Sequence, residues 1–280
     1  MFLYKKMPEP VRRFKFFEPL YLSFFSKDVY LDAAKNWGGM TFAYLLMLVA
    51  VCWAPRMINL HQELAYFLDT DAQAIASQVP RIDINDGVAT SEASTPYEIK
   101  EAKTGKTFMI IDLREKHTAV DELGDNVIAL LTRSQFIMKK NKTETRAYDL
   151  SEVKSFYLDR TRVKGWMELA RKWTAIVLYV FIVAFMYVYR IIQAVIYAVI
   201  GILVSKFVQI ELGFDVLMNL SIIAITPPVI INTVVSLAEI SIPFWGWLCF
   251  AMAIGYLIFG IKALKDSSQA TVPSDVQDNT

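Results

Sequence analysis

The chain has 280 residues, of which 55% are hydrophobic, and its 29 basic residues nearly balance its 28 acidic residues. An ordinary soluble domain is less apolar than this, and the balanced charge gives no indication of nucleic-acid binding. Both cysteines, Cys52 and Cys249, lie in apolar runs, so we expect buried thiols rather than a disulfide framework.

Residues 1–36 form a basic and aromatic leader that is too long for a signal peptide. Its seven Lys and Arg residues predict a cytoplasmic N-terminus, because positive charges near a first span stay inside. The segment "FKFFEPLYLSFF" (14–25) mixes aromatic with charged residues. That pattern is typical of a helix at the membrane surface, and a packed cytoplasmic helix explains it equally well.

Long apolar runs follow the leader, and a run of about 20 residues is enough to cross a bilayer. We expect span one at 37–58, a long second span at 166–205, and two further spans within 206–265. The last residues, 266–280, are small and polar, which predicts a disordered cytoplasmic tail.

The second run is difficult to assign as a single span, because it carries Arg190 near its midpoint. It is either one long helix or a hairpin that turns at Arg190, although no Gly, Pro or Asn is present there to make a turn. Four spans place Lys206, Lys262 and Lys265 in the cytoplasm, and five spans place them outside. The positive-inside rule therefore favours four spans over five, with both termini inside.

Residues 59–165 form the hydrophilic block that is large enough for a domain, and its position between the first two spans predicts an extracytoplasmic location. The sequence "PRMINLHQELAYFL" (55–68) has helical spacing, so span one is expected to continue outward as a helix. The remainder predicts an α+β domain, with Ser151 as a helix cap before the return to the membrane. Alternating segments indicate strands, which read "PYEIKEA", "KTFMIID", "NVIALLT", "QFIMKK" and "ETRAYDL".

Candidate chemistry is sparse. His61 and His117 have no Cys or His at metal-ligand spacing, and "DINDG" (83–87) departs from the calcium-loop pattern, so a strand with an Asp-Gly turn explains it better. The stretch "KTGKT" (103–107) lacks the upstream glycine of a phosphate-binding loop, and a hairpin accounts for it. We expect no catalytic group, no metal and no cofactor.

Polar residues and prolines inside the apolar runs are the remaining candidates for a functional or structural site. Arg190 either lies at depth, where an ionisable group indicates function, or reaches an interface. Asn219 and Thr226 are expected to hydrogen-bond between helices, with a lined substrate path as the alternative. The adjacent prolines predict a kink near 225–228 that acts as a hinge, a packing feature or part of a binding site. The complete set of candidates is Arg190, Asn219, Thr226, Pro227, Pro228 and Asn232.

Four segments together resemble a bacterial membrane family of unknown function over about residues 10–265. They are "PYEIKEAKTGKTFMIIDL", "VIALLTRSQFIMKK", "YRIIQAVIYAVIGIL" (189–203) and "NLSIIAITPPVII" (219–231). Some members of that family carry the description maltodextrin utilisation protein, and the last three runs are distantly similar to Yip-type membrane domains. The resemblance implies an inner-membrane protein with one extracytoplasmic domain.

The function expected from these observations is that of a non-enzymatic membrane accessory or scaffold protein. It would bind a partner or ligand through the extracytoplasmic domain and would act near an uptake system. The expected partner is a membrane protein or a second copy of the chain, and a carbohydrate is the expected ligand. A transporter that uses the polar residues of the spans is one alternative, and a membrane signal sensor is another.

Overall fold

The computed structural model describes residues 13–114, 126–141 and 144–269, and they form two compact units. One unit contains the described residues up to Ile58 together with those from Leu178 onward, and the other is Asn59–Val177. The first unit is built from helices, whereas the second combines two β-sheets with helical segments.

The described part of the leader, from residue 13, contains two short helices, α1 (Pro19–Leu22) and α2 (Lys27–Asp32), and leads into a π-helical turn at Ala33–Trp37. Its inner face is buried, and Tyr30 donates a hydrogen bond of 2.8 Å to the carbonyl of Ser23. Its outer face carries aromatic residues four positions apart that remain more than half exposed, namely Phe17, Tyr21 and Phe25. The leader is therefore a packed helical segment that also presents the outward aromatic row expected of a surface helix.

Helix α3 (Met40–Phe67) continues through Pro55, so the helical extension predicted from residues 55–68 is confirmed. Helix α5 (Arg160–Phe207) is unbroken for 48 residues. The hairpin alternative at Arg190 is therefore not adopted. No Gly, Pro or Asn lies near Arg190 to end the helix or to form a turn.

The remaining helices are α6 (Phe214–Ala224), α7 (Thr226–Leu237) and α8 (Trp245–Gln269). Residues 266–269 continue α8 rather than starting a disordered tail, and this corrects the prediction for that segment. The hydroxyls of Ser267 and Ser268 bond to carbonyls three residues earlier, so both polar side chains have partners within the last turns of the helix. Residues 270–280 lie outside the described part.

Four helical stretches in the described residues are long and apolar enough to cross a membrane. They are Met40–Gln78, Arg160–Phe207, Phe214–Leu237 and Trp245–Gln269. Their number agrees with the four predicted spans. The helical unit has a core of large buried side chains such as Tyr30, Tyr44, Leu217 and Leu220.

The α+β unit contains a three-stranded antiparallel sheet in the order β2–β1–β8. Its strands are β1 (Ile82–Asn85), β2 (Val88–Ser91) and β8 (Ser155–Leu158). Asp86 and Gly87 connect β1 to β2 with φ angles of 47° and 81°, the left-handed pair that a two-residue hairpin requires. The strand and Asp-Gly turn predicted for residues 83–87 are thus confirmed.

A second sheet has five strands in the order β3–β4–β5–β6–β7, with β4 and β5 parallel and the other neighbours antiparallel. Each of its strands lies within a segment predicted as a strand. They are β3 (Tyr97–Lys100), β4 (Thr107–Ile111), β5 (Ala129–Leu131), β6 (Gln135–Lys139) and β7 (Thr145–Asp149). The α+β class is confirmed, and β7 forms an edge with all five residues exposed.

The cap predicted at Ser151 is wrong, because β8 intervenes before the next helix. Ser151 lies in a turn, where its backbone N–H donates to the Asp149 carboxylate at 2.8 Å. Helix α5 is capped instead by Asp159, whose carboxylate accepts the backbone N–H of Arg162 at 2.7 Å. A further helical segment of this unit comprises a π-helical turn at Leu68–Ala72 and α4 (Gln73–Gln78).

Candidate functional site

Asn219 and Thr226 bond to helix α3, which makes them contacts between helices. The Thr41 hydroxyl lies 2.6 Å from both the Asn219 side-chain oxygen and the Gly38 carbonyl, so its single proton serves one of them at a time. The Tyr44 hydroxyl lies 3.1 Å from the Thr226 hydroxyl, which is also 3.2 Å from the Ile222 carbonyl. The expected hydrogen bonds between helices are present, and both candidates are buried.

Tyr44→Phe is expected to lower the free energy of unfolding by about 1 kcal/mol, the usual contribution of one hydrogen bond. The substitution removes the bond to Thr226, but the ring retains its edge-on contact with Trp37 at 5.6 Å. Denaturation of the purified protein in mild detergent measures the change. Tyr21→Phe, at an exposed position, is the control and is expected to have no measurable effect; equal stability of both variants would contradict the prediction.

Pro227 and Pro228 lie in the first turn of α7, and the break between α6 and α7 is at Ile225. The first N–H groups of a helix have no partner within that helix, so prolines here sacrifice no hydrogen bond of α7. They do deprive the last carbonyls of α6 of the donors that a continuous helix would supply. By the i to i−4 pattern of an α-helix these are the carbonyls of Ile223 and Ala224. The Thr226 hydroxyl bonds to the carbonyl just before them, that of Ile222. The pair therefore divides the third apolar stretch into two helices.

Arg190 and Asn232, two candidates predicted from the sequence, lie together between two cavities. One cavity, of about 310 Å³, extends along α3, α5 and α7. The other, of about 390 Å³, extends along α5, α7 and α8 and is also lined by Pro228. Tyr189, Arg190 and Asn232 line both cavities. Asn219 and Thr226 line neither of them.

The Arg190 guanidinium bonds only to neutral groups in the described part of the chain. It donates to the Gln193 side-chain oxygen at 2.5 Å and lies 5.6 Å from the centre of the Tyr189 ring. Gln193 in turn donates to the Tyr197 hydroxyl at 3.2 Å. The two cavities beside the guanidinium leave room for a further hydrogen-bond acceptor.

Arg56 is a site residue that sequence reasoning missed. It lines the first cavity together with Arg190, and it donates to the Ser236 hydroxyl at 2.6 Å. Its guanidinium also lies 5.8 Å from the centre of the Trp53 ring. In the sequence it looks like an ordinary basic residue at the end of a span, and only the packing of α3 against α7 places it at a cavity.

The other sequence motifs give no site. His61 is exposed on α3, whereas His117 lies outside the described residues. No group of His, Cys, Asp or Glu suited to a metal ion occurs among the residues that the structure describes. The first four residues of the "KTGKT" stretch lie in the loop between β3 and β4, and Thr107 begins β4. In this loop the Thr104 hydroxyl donates to the Glu101 carboxylate.

No curated protein and no solved structure matches the chain significantly. A family model described as "Protein of unknown function (DUF1189)" matches residues 17–261, which is most of the chain. The resemblance to a family of unknown function is thereby confirmed, and the chain belongs to the DUF1189 family.

Proposed function

We propose that this protein is a non-enzymatic integral membrane accessory protein that binds another membrane protein through the outward face of α5. In this proposal its four long apolar helices span the bacterial cytoplasmic membrane, its N-terminus is cytoplasmic and the α+β unit is extracytoplasmic. The family resemblance adds carbohydrate uptake as the setting and a Yip-type arrangement of the last three spans.

The observation that supports the proposal is the exposure of α5. In its apolar stretch 11% of the residues are buried, compared with 56% in the stretch formed by α6 and α7. Residues that face the bundle include the small side chains Ala194 and Ala198, which are fully buried. Phe181 and Phe185, one turn apart, are 70% and 71% exposed. Aromatic side chains are enriched in protein interfaces, so this ridge suits a partner helix.

The edge strand β7 is the corresponding surface of the α+β unit. All five of its residues are exposed, and Tyr148, on its outer face, stacks on Phe136 with ring centres 6.4 Å apart. An open edge offers unpaired backbone groups to an extended segment of a partner. This surface is where we propose that the unit contacts an extracytoplasmic protein or a carbohydrate-binding component.

A photo-crosslinking amino acid at Phe185 is expected to give one discrete adduct with a membrane protein in intact cells. The same residue at Trp247, which is 72% exposed on α8, is the matched control and is expected to give lipid adducts only. The captured protein should also copurify with the unmodified chain at a fixed stoichiometry in mild detergent. Lipid adducts alone at both positions, with no copurifying protein, would refute the proposal.

The cavities beside Arg190 favour transport as a second candidate. In that case Arg190→Ala would abolish the flux of a solute into vesicles while the protein remained folded. Flux measured with candidate sugars, in vesicles that contain only this protein, distinguishes transport from the accessory role.

A further inference from the structure

We propose that the two cavities flanking Arg190 form a binding site for an oxyanion of the phosphate type, carried by a lipid headgroup or present as free phosphate. This site extends beyond the accessory role, because it requires no protein partner. The site consists of Arg190, Arg56, Asn232 and the hydroxyls next to them, and we refer to it as the Arg190 site.

The Arg190 site carries positive charge with no acidic residue in its described lining. Two guanidiniums, those of Arg56 and Arg190, line the same cavity, and none of the described residues lining either cavity is Asp or Glu. The ion pairs found within residues 13–114, 126–141 and 144–269 include neither arginine. An anion that enters the cavity therefore encounters two positive charges that no carboxylate of these segments neutralises.

The Arg190 site also supplies several hydrogen-bond donors. A guanidinium has five N–H groups in a planar fork that matches phosphate and carboxylate oxygens. The bonds found for Arg56 and Arg190 go to Ser236 and Gln193, one each, so further N–H groups remain at each arginine. Asn232 accepts the Trp245 indole N–H at 2.8 Å through its oxygen, which leaves its amide group as an additional donor.

The lining and the size of the two cavities also suit a phosphate group. Apolar and aromatic side chains surround these donors, including Trp53 and Tyr189 in the first cavity and Phe250 in the second. Charge-assisted bonds are stronger where water is limited. The cavities, of about 310 and 390 Å³, have room for a phosphate group together with water.

The chain contains its own reporters of this site. Its two cysteines line one cavity each, Cys52 the first and Cys249 the second. Cys249→Ala leaves Cys52 as the only thiol, and Cys52→Ala leaves Cys249. Each single-thiol protein is treated in detergent with an anionic and a cationic methanethiosulfonate of similar size. The thiolate is the nucleophile toward both reagents, so the ratio of the anionic to the cationic reaction rate reports the local potential and not the thiolate fraction.

We expect this ratio to be well above that of the uncharged thiol 2-mercaptoethanol at both cysteines, and to fall about tenfold or more in Arg190→Gln, because one charge nearby is removed. Arg190→Lys should preserve most of the ratio. Lys262→Gln is the matched control, since it removes one charge from an exposed position on α8 outside both cavities. A native ratio no higher than that of 2-mercaptoethanol would overturn the proposal, even if Arg190→Gln failed to fold.

Binding is then measured as protection of Cys52 from uncharged N-ethylmaleimide at matched ionic strength. Inorganic phosphate in detergent tests the free anion. Vesicles of phosphatidylglycerol, compared with phosphatidylcholine, test the lipid headgroup. Protection in either arm that Arg190→Gln removes and Lys262→Gln retains supports the site and identifies its source. Absence of protection in both arms, or equal protection in Arg190→Gln, overturns it. Neither result depends on the crosslinking of α5.

Discussion

Asp32→Asn is expected to lower the free energy of unfolding by about 3 kcal/mol. The Asp32 carboxylate is 4% exposed and accepts four hydrogen bonds, two at each oxygen. The donors are the backbone N–H groups of Arg13 and Phe14, at 3.1 and 3.3 Å, and the side chains of Asn36 and Trp37, both at 2.7 Å. An amide would direct its own N–H groups at donors, so at least two bonds would be lost.

The same carboxylate predicts a dependence of stability on pH. Burial alone would raise the pKa of Asp32, but the hydrogen bonds from Asn36, Trp37, Arg13 and Phe14 oppose it and bring the pKa below its ordinary value. Since the folded pKa is below the unfolded one, the stabilisation is complete above the unfolded pKa. It is lost as the pH falls through the folded pKa, in the range below about pH 4. Asp32→Asn should lack this part of the acid sensitivity.

Thermal unfolding in detergent between pH 3 and pH 7 measures both effects. Asp28→Asn is the control, because Asp28 lies in the same helix, is exposed and makes only a 3.9 Å ion pair with Arg13. That variant should lose less than 1 kcal/mol, as exposed ion pairs do. If Asp32→Asn and Asp28→Asn had equal stability at neutral pH, the role assigned to the four hydrogen bonds would be wrong.

Gly260→Ala is expected to lower the free energy of unfolding by about 2 kcal/mol through overpacking. A Cβ at Gly260 would lie 2.7 Å from a ring carbon of Tyr30 and 3.1 Å from a methyl carbon of Leu220. Tyr30 cannot move aside, because it is fully buried, bonds to Ser23 and packs edge-on against Phe259 at 5.4 Å. The methyl group would therefore separate α8 from α2 and α6.

Gly255→Ala on the same helix is the matched control. A Cβ there meets no atom within 4 Å, and helix propensity favours Ala over Gly by about 1 kcal/mol. Gly255→Ala should therefore unfold at the same or a higher temperature than the native chain in detergent, whereas Gly260→Ala should unfold at a lower one. A loss of stability at both positions, or at neither, would show that the close contact with Tyr30 does not control packing of the leader.

Local pattern was sufficient for much of the fold. The strands between residues 96 and 150 follow from alternating side chains and from turns such as Lys103-Thr104-Gly105, since a period of two and a glycine turn are local properties. The four apolar stretches follow from length and hydropathy alone. The cap at Ser151 was wrong because β8 is short and pairs with the distant β1, which no local pattern reveals.

The candidate residues also divide into those that local sequence indicates and those that only packing reveals. The sequence drew attention to Arg190, Asn232 and the proline pair because polar groups and helix breakers are conspicuous in an apolar run. It gave no sign of Asp32, whose backbone donors lie 18 and 19 positions earlier, and Arg56 looked like an interfacial residue.

What the sequence by itself determined is the four stretches that are long and apolar enough to cross a membrane, most of the strand segments and the family, because hydropathy and periodicity are local. The tertiary structure decided that Asn219 and Thr226 bond to α3, and that Arg56 and Arg190 line one cavity. These outcomes depend on which helix faces meet, and contacts between residues more than a hundred positions apart are fixed by packing and not by local pattern.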